Sequence, residues 1–218
     1  MYDPIIFDLD GTLLNTLGDL AAAGNFALSE MGLPRHTEEE FRLFVGNGIS
    51  KLVERMLPNN SSDEEKKTAR ALFGEYYELH KSDRTKPYDG ISELLTELKH
   101  KGITALCVTN KDHAFSEALL RSFFGENITE VVGAGLGFPI KPDPGAVLYL
   151  AEKYRRDGKT PLYIGDSGVD METAKNAGIT ACGVLWGFRD REELTRYDPE
   201  YLAKNAQELR EIILSNGK

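Results

Sequence analysis

The chain has 218 residues, of which 41% are hydrophobic and 28% charged, and its formal net charge is -9 at pH 7. This length can bury a sizeable core, either as one domain or as a core domain with a smaller inserted one. The acidic balance argues against nucleic-acid partners and anionic lipid, since both need a basic surface. No apolar run reaches the roughly 18 residues of a membrane span. We therefore expect a cytoplasmic protein without a signal peptide or a membrane partner.

The first predicted strand covers residues 4–7 and leads directly into the string Asp8-Leu9-Asp10-Gly11-Thr12. Two carboxylates thus follow an apolar run, at a strand end of the kind where ligands of open α/β sheets bind. Asp and Gly after a strand also form ordinary turns. Taken alone, this string is equally consistent with a turn and with a catalytic site.

Residues 15–85 read as helix almost throughout, with no convincing strand. A segment this long cannot be a single crossover in a compact βαβ unit. We therefore predict an all-helical insert at residues 15–85, called the insert below, and an α/β core of residues 1–14 and 86–218, called the core. The charged tract at residues 61–67 of the insert is interpreted as an N-capped, solvent-facing helix start.

In the rest of the chain, short apolar runs alternate with helical patterns, which is typical of a parallel sheet covered by helices on both faces. The sequence thus predicts an α/β fold with a Rossmann-like core. The remaining predicted elements are a helix at 92–99, strands at 104–108, near Val131 and at 161–164, a helix at 171–177 stopped by Gly178, and strands at 181–185 and near Tyr201.

Polar residues follow two of these strands. Thr109 and Asn110 come after the strand at 104–108, where a hydroxyl and backbone donors could receive a phosphoryl group at the start of the next helix. Lys141 follows the Val131 strand and stands among prolines that limit its backbone freedom. Each signal is weak alone, because such a Thr is usually a cap and a lone Lys is usually solvated.

A second pair of carboxylates follows the strand at 161–164, in the string Gly165-Asp166-Ser167-Gly168-Val169-Asp170. Together with Asp8 and Asp10, these acidic groups would repel one another severely unless a cation lay among them. Ligation by oxygen alone suits Mg²⁺, which binds few carboxylates and keeps several waters. The sequence therefore predicts Mg²⁺ as the cofactor.

Histidine and cysteine play no visible part in this site. The four histidines are scattered without the spacing of metal ligands. Cys107 and Cys182 each lie in an apolar, strand-like run, so we expect buried, reduced thiols rather than a disulfide.

The order of these motifs resembles the haloacid dehalogenase superfamily of phosphatases. The resemblance covers nearly the whole chain: Asp-x-Asp-Gly-Thr at residues 8–12, Thr-Asn at 109–110, Lys141, then Gly-Asp-Ser-x-x-Asp at 165–170. It is similar to the subgroup with a helical cap after the first motif, and within it most similar to the phosphoglycolate phosphatases. The turn at residues 45–48 and the string at 108–111 suggest this narrower subgroup.

The resemblance implies a phosphomonoester hydrolase acting on a small phosphorylated metabolite through a phosphoaspartate. Asp8 would be the nucleophile, and Asp10 the general acid and then the general base. Magnesium would bind Asp8, the Asp10 backbone carbonyl and Asp166, with Asp170 holding a metal-bound water or a neighbouring ligand. Thr109, Asn110 and Lys141 would neutralise the phosphoryl oxygens. The expected substrate-binding residues are Gly11, Thr12, Asn110, Gly46, Asn47 and Gly48.

Several alternatives stay open on the sequence. The same core could hydrolyse pyrophosphate or a sugar phosphate, whereas phosphoglucomutases carry a histidine at the position of Leu20, which this chain lacks. A phosphonate hydrolase would need an imine-forming cap lysine, for which Lys51 is a nominal candidate. A binding protein without turnover is disfavoured by the intact acidic residues. Dehalogenases lack the second carboxylate that is present here as Asp10. Both a monomer and a homodimer are compatible with the sequence.

Overall fold

The computed structural model of the chain describes residues 1–215. The strands are β1 (Ile5–Phe7), β2 (Leu14–Asn15), β3 (Lys86–Pro87), β4 (Ala105–Asp112), β5 (Glu130–Ala134), β6 (Leu162–Gly165), β7 (Thr180–Val184) and β8 (Tyr201–Ala203). The helices are α1 (Leu17–Glu30), α2 (Glu38–Phe44), α3 (Gly48–Met56), α4 (Asp63–His80), α5 (Ile91–His100), α6 (His113–Phe124), α7 (Gly145–Lys153), α8 (Gly168–Ala177), α9 (Arg191–Thr195) and α10 (Ala206–Leu214).

The central sheet has six strands in the order β5-β4-β1-β6-β7-β8, and every neighbouring pair in it is parallel. This is the doubly wound order, in which the direction of strand addition reverses between β1 and β6. Ligands of such sheets bind beyond the carboxyl ends of the strands at that switch point. The predicted α/β fold and its strands are confirmed.

Alternate residues of the strands pack on opposite faces of the sheet, as the two-residue period of a strand requires. Ile5, Phe7 and Cys107 join an apolar cluster with α5, α6 and α10. Ile6 and Tyr163 belong to a second cluster with α7 and α8. The sheet is thus buried on both faces, which explains why its strands read as short, continuously apolar runs.

The strand predicted at residues 104–108 differs from its prediction in where it ends. Strand β4 does not end at Val108 but continues to Asp112 through a register shift against β5. The following helix α6 begins at His113, with the Asp112 side chain accepting a hydrogen bond from the backbone N–H of Ala114. Thr109 and Asn110 therefore lie inside an irregular strand, and the expectation that they open a helix is wrong.

Helices α1 to α4 have an apolar cluster of their own, which includes Phe41, Met56 and Phe73 and which Phe188 of the core joins. Helix α4 begins with a capping box between Ser62 and Glu65, so the interpretation of the charged tract at 61–67 as a capped helix start is confirmed. The boundaries of the insert and the core stay a prediction.

Two chain segments connect the insert to the core side by side. Strands β2 and β3 pair antiparallel, an element that the sequence analysis missed because each strand has only two residues. One turn into α1, the buried Asp19 carboxylate accepts hydrogen bonds from the backbone N–H groups of Arg84 and Thr85 and from the Thr85 hydroxyl. The outgoing and returning segments are therefore held together.

Cys107 and Cys182 are buried, free thiols, as predicted. Among residues 1–215, no helix is long and apolar enough to cross a bilayer. The cytoplasmic location stays a prediction.

Candidate active site

The two acidic motifs meet at the switch point of the sheet. Asp8 directly follows β1 and Asp166 directly follows β6, its parallel neighbour. The Asp8 backbone N–H continues the ladder by donating to the Ile164 carbonyl at 2.8 Å. Segments far apart in the chain are thus brought to one sheet edge by strand pairing alone.

Three carboxylates are crowded together at this edge. One oxygen each from Asp8, Asp166 and Asp170 lies within 4.8 Å of the others, and all three residues are buried. Burial and then the Asp170 charge raise the pKa of Asp8 to about 7, against the opposing effect of Lys141. Burial and the charges of Asp170 and Asp8 raise the pKa of Asp166 well above its ordinary range. The cluster is therefore short of positive charge.

Two glycines allow Asp166 to lie where it does. A Cβ atom on Gly11 would come within 2.3 Å of Asp166 Oδ2, and one on Gly187 would come within 2.3 Å of Asp166 Cβ. Gly11 also has φ +85°, a backbone conformation that favours glycine. The carboxylate accepts hydrogen bonds from the Thr12 hydroxyl at 3.2 Å and from the Phe188 N–H at 2.7 Å. Its orientation is thus fixed by backbone packing and by two donors.

Asp170 is fully occupied by protein donors. Its Oδ1 accepts from Lys141 Nζ at 2.7 Å and from the Tyr163 hydroxyl at 3.1 Å. Its Oδ2 accepts from the backbone N–H and hydroxyl of Ser167, at 3.1 and 2.7 Å. A carboxylate oxygen accepts about two hydrogen bonds. Asp170 therefore orients Lys141 and caps α8, and its predicted part in holding the metal stays a prediction.

Lys141 lies between Asp170 and Asp8. Its Nζ is 2.8 Å from Asp8 Oδ1, yet within residues 1–215 this buried oxygen has no hydrogen-bond partner in suitable geometry. Burial alone would lower the pKa of Lys141, but the Asp170 and Asp8 carboxylates outweigh it and raise that pKa well above its ordinary value. The lysine is therefore held charged beside an Asp8 oxygen that still has room to accept.

Asp10 lies beside a cation that the sequence analysis did not assign to the site. Lys111 Nζ donates to Asp10 Oδ1 at 3.1 Å and to Oδ2 at 3.3 Å, and the Thr16 hydroxyl donates to Oδ1 at 2.7 Å. Lys111 is buried, with its Nζ 4.7 Å from the centre of the Tyr77 ring. Asp10 and Tyr77 raise the pKa of Lys111 despite its burial. The Asp10 carboxyl is thus held in one orientation by a charged neighbour.

Asn110 connects three segments through its side chain. Its Oδ1 accepts from the Lys141 N–H at 2.7 Å, and its Nδ2 donates to the carbonyls of Lys141 and Gly46, both at 3.1 Å. The Thr109 hydroxyl accepts from the Lys111 N–H at 3.2 Å and lines the cavity described below. The side-chain amide of Asn110 therefore fixes the Lys141 loop and one turn of the insert.

A cavity of about 160 Å³ lies between the core and the insert. Its core side is polar and carries Asp8, Asp10, Thr109, Lys141 and Asp166 among its lining residues. Its insert side is mostly apolar and is lined by the following side chains: Leu20, Val45, Ile49, Leu52, Phe73 and Tyr77. A charged group and an apolar group of one ligand can therefore be bound at opposite ends.

Only some of the predicted substrate-binding residues line the cavity. Gly46 and Gly48 line the cavity, whereas Asn47 does not. The Asn47 side chain accepts a hydrogen bond from Arg55 of α3 at 2.7 Å. Gly11 and Thr12 also lie outside the lining and act on Asp166 instead. A Cβ atom on Gly48 would approach the Asn110 carbonyl to 3.2 Å, so the insert backbone packs closely on the core here.

Arg189 attaches the core to the insert on the other side of the cavity. It follows β7 and donates from its guanidinium to the Arg42 and Val45 carbonyls at the end of α2. The same side chain forms an ion pair with Glu193 at 3.4 Å. Its charge is thus used to hold the turn at residues 45–48 over the acidic cluster.

This geometry agrees with a comparison against protein families. The sequence model of the haloacid dehalogenase-like hydrolases matches residues 5–184. The chain belongs to this family. The resemblance found in the sequence is confirmed, and so is the enzyme class it predicted, a phosphatase.

Relatives within the haloacid dehalogenase-like hydrolases match over nearly the whole chain. A protein of Vibrio vulnificus strain CMCP6 named phosphoglycolate phosphatase is 35% identical over 96% of this chain and 95% of its own. The protein of the same name from Vibrio parahaemolyticus is 34% identical over the same shares. A crystal structure titled a predicted phosphoglycolate phosphatase from Haemophilus somnus 129pt superposes with a TM-score of 0.90 at 29% identity, covering 97% of each chain.

Two residues of this hydrolase site escaped the sequence analysis. Lys111 was visible in the string Thr109-Asn110-Lys111, but its partner Asp10 is 101 residues away, and only the structure joins them. Arg189 lies in a loop after β7 without any motif, and its acceptors are backbone carbonyls. Every residue has a backbone carbonyl, so the sequence contains no signal that could have indicated this contact.

The residues present fit a divalent cation. Asp8 and Asp166 carry raised pKa values, and Asp8 Oδ1 is buried without a hydrogen-bond donor. Such carboxylates become stable in their charged form when a cation lies between them. All candidate donors are oxygens, which favours Mg²⁺ over metals that prefer nitrogen or sulfur.

Proposed function

We propose that this chain is a Mg²⁺-dependent phosphomonoester hydrolase that acts through a phosphoryl-aspartate at Asp8, with phosphoglycolate as its first candidate substrate. One observation carries the proposal. Asp8 lines the cavity, and its buried Oδ1 lies 2.8 Å from Lys141 Nζ, so the carboxylate is held beside a fixed positive charge. A carboxylate oxygen in this setting can attack a phosphorus atom whose own oxygens are neutralised by the same lysine.

The phosphoryl group would be bound by residues around Asp8. Lys141 supplies a fixed positive charge, and Thr109 supplies a hydroxyl at the cavity wall. The backbone N–H of Asn110 is a further candidate donor. Because Asp170 and Asn110 hold Lys141 from two sides, little reorganisation is needed when charge spreads over the phosphoryl oxygens.

Asp10 would move the protons of both half-reactions. In the first, an Asp8 oxygen bonds to phosphorus, the bond to the leaving oxygen breaks, and Asp10 protonates that oxygen. In the second, Asp10 takes a proton from a water that attacks phosphorus, releasing inorganic phosphate and regenerating Asp8. Lys111 and Thr16 hold the Asp10 carboxyl in place through both steps.

Magnesium would be held by the carboxylates of Asp8 and Asp166, with the Asp10 backbone carbonyl as a further ligand. When bound, the ion neutralises charge on the phosphoryl oxygens and on the carboxylate cluster. Asp170 would orient Lys141 and hold a metal-bound water, since its oxygens already accept four hydrogen bonds from Lys141, Tyr163 and Ser167. Thr12 and Phe188 keep Asp166 oriented toward the cluster.

Phosphoglycolate is the first candidate because relatives at 34–35% identity over nearly the full chain carry the name phosphoglycolate phosphatase. A cavity of about 160 Å³ also suits a short leaving group. Hydrolysis is favoured over mutase chemistry because Leu20, an apolar residue, lines the cavity where phosphoglucomutases carry a histidine.

The test is a kinetic assay of the purified protein on para-nitrophenyl phosphate and phosphoglycolate, with Mg²⁺ and with a chelator. We expect turnover that needs Mg²⁺, is abolished in Asp8→Asn and persists in Asp157→Asn, which removes an exposed carboxylate far along the chain. A panel that includes pyrophosphate and sugar phosphates should give its highest kcat/KM with phosphoglycolate. Turnover that survives chelation, or that survives in Asp8→Asn, contradicts the proposal.

A further inference from the structure

One face of helix α4 forms the wall of the cavity opposite the acidic cluster. Arg70, Phe73, Gly74 and Tyr77 all line the cavity, and their spacing of three, four and seven residues puts them on one side of the helix. Tyr77 is the innermost of them, since its ring lies against Lys111. Arg70 is exposed and lies two turns earlier, toward solvent. The face therefore runs from beside Lys111 toward solvent.

Gly74 has no structural reason to be glycine. It lies inside an 18-residue helix, where glycine is unfavourable relative to alanine. Its φ is not among the positive values that other glycines adopt, and a Cβ atom built on it would meet no atom of residues 1–215 within 4 Å. The missing side chain leaves open space at a residue that lines the cavity.

Arg70 differs from the other cations that line the cavity. Lys141 is paired with Asp8 and Asp170, Lys111 with Asp10, and Arg189 with Glu193 and backbone carbonyls. Within residues 1–215, the hydrogen bond of Arg70 is to the Ser50 hydroxyl at 3.0 Å, and no carboxylate lies within ion-pair distance. Its guanidinium keeps donors available for a further acceptor.

Because the other cations of the cavity are already paired, Arg70 is the cation that can bind the remote end of the substrate. The lysines are balanced by carboxylates of the core, and a bound phosphoryl group adds more negative charge there. A second anionic group on the same substrate would be repelled from the acidic cluster and would find its counter-charge on the insert. A guanidinium suits a carboxylate, because its donors match the two oxygens in a planar pair.

We propose that Arg70 binds a carboxylate on the leaving group and that Gly74 makes the room through which the leaving group reaches it. This inference rests on the proposed phosphomonoesterase function and names its substrate class, the phosphate esters of short hydroxy acids. Apolar neighbours such as Leu52 and Phe73 would contact the hydrocarbon part between the two anionic ends. Arg70 is thus a specificity-determining residue, since it does not touch the reacting atoms.

The experiment compares two substrates of nearly equal size, phosphoglycolate and ethyl phosphate, which differ by the carboxylate. In Arg70→Gln, the ratio of kcat/KM for phosphoglycolate to that for ethyl phosphate should fall about tenfold to a hundredfold, the usual effect of one charge-assisted pair. The loss should lie in KM, because a contact remote from the reacting atoms stabilises substrate and transition state alike. Arg70→Lys should restore part of the ratio.

Lys67→Gln is the matched control, because it removes one exposed positive charge from the same helix without altering the cavity lining. Its substrate ratio should equal that of the wild type. Equal losses on both substrates in Arg70→Gln, or an unchanged ratio, would overturn the assignment. If the wild-type protein hydrolyses neither substrate nor para-nitrophenyl phosphate, the proposed function itself fails, and the two failures are thereby distinguished.

Gly74→Leu tests the second half of the proposal. The new side chain meets no atom within 4 Å at its first carbon, so the fold should tolerate it, which a melting curve checks. We expect kcat/KM for phosphoglycolate to fall at least about tenfold as the space is filled. A folded variant with wild-type kcat/KM would show that the leaving group does not use this space.

Discussion

The two ends of the cavity are built in opposite ways. At the core end, Asp166, Asp170 and Lys141 are buried, and each is held by two or more partners. At the insert end, the lining is mostly apolar, and Arg70 has one hydroxyl partner at an exposed position. A fixed charge array suits a reaction whose electrostatic demands are the same for every substrate, whereas a sparse wall can change with the leaving group. If the proposed roles hold, chemistry is carried by the core end of the cavity and specificity by the insert end.

Among substitutions that leave Asp8 in place, the largest effect is expected from removing the central cation of the core end. Lys141→Met should lower kcat by about 10²- to 10³-fold, the usual loss when a group that stabilises transition-state charge is removed. It should also lower the free energy of unfolding by about 3–5 kcal/mol, because Asp8 and Asp170 lose their buried partner. Steady-state kinetics and urea unfolding measure both effects.

Lys153→Met is the control for that variant. Lys153 pairs with Glu130 at 2.6 Å on the surface, where an ion pair contributes little. Its kinetics and unfolding midpoint should stay close to those of the wild type. Equal effects of the two substitutions would mean that Lys141 has no special place in the site.

Gly187 at the core end and Gly74 at the insert end should respond differently to substitution by alanine. Gly187→Ala puts a Cβ atom within 2.3 Å of Asp166 Cβ and 2.5 Å of the Gly11 carbonyl, so Asp166 must shift. Apparent Mg²⁺ affinity or activity should fall by about 10- to 100-fold, as is usual when a metal ligand loses its support. Titration of activity against Mg²⁺ checks this. Wild-type Mg²⁺ dependence in this variant would contradict the assignment of Asp166 as a ligand.

The pH dependence of Mg²⁺ binding should reflect the raised pKa of Asp8, about 7 against an ordinary 3.8. In the metal-free protein, the folded state then holds this proton more tightly than the unfolded state. The stability that this bound proton contributes is complete below about pH 4 and is lost as pH rises through about 7. Mg²⁺ must displace the proton, so its stabilising effect should grow with pH over this range. Melting curves with Mg²⁺ and with a chelator at pH 5.5 and pH 8 measure the difference, and an equal shift at both values would contradict it.

The smallest effect is expected from the insert end. Gly74→Ala adds a methyl group that meets no atom of residues 1–215 within 4 Å, and it removes a glycine from the middle of a helix. It should therefore stabilise the fold by about 0.5–1 kcal/mol. The melting temperature should rise by about 1–4 °C. The same change from glycine to alanine is thus expected to weaken the metal site at the core end and to stabilise the fold at the insert end. A fall in melting temperature on Gly74→Ala would show that this glycine has a structural role.

The sequence predicted the core end better than the insert end, for a physical reason. Asp8 and Asp166 follow apolar strands, and the carboxyl ends of neighbouring parallel strands must meet, so local pattern and topology together found them. Cys107 and Cys182 were likewise placed in buried strands. These inferences needed no knowledge of side-chain orientation.

The remaining features depend on contacts that a sequence does not display. Strand β4 extends past Thr109 because its irregular end pairs Asp112 with Ala134 of β5. Asn47 turns toward Arg55 on the next helix, although it lies between two cavity glycines. Among residues 1–215, Lys111 has a carboxylate beside it and Arg70 does not, which is why different roles are proposed for them. Each outcome is decided by packing between segments, which local periodicity cannot predict.

The central claim is that Asp8 takes the phosphoryl group, and rapid acid quenching during turnover tests it most directly. With phosphoglycolate and Mg²⁺, intact-mass and peptide mass spectrometry should find one phosphoryl group on the peptide that contains Asp8, and none in Asp8→Asn. A wild-type protein that turns over without any such adduct, or an adduct on another residue that persists in Asp8→Asn, would contradict the account.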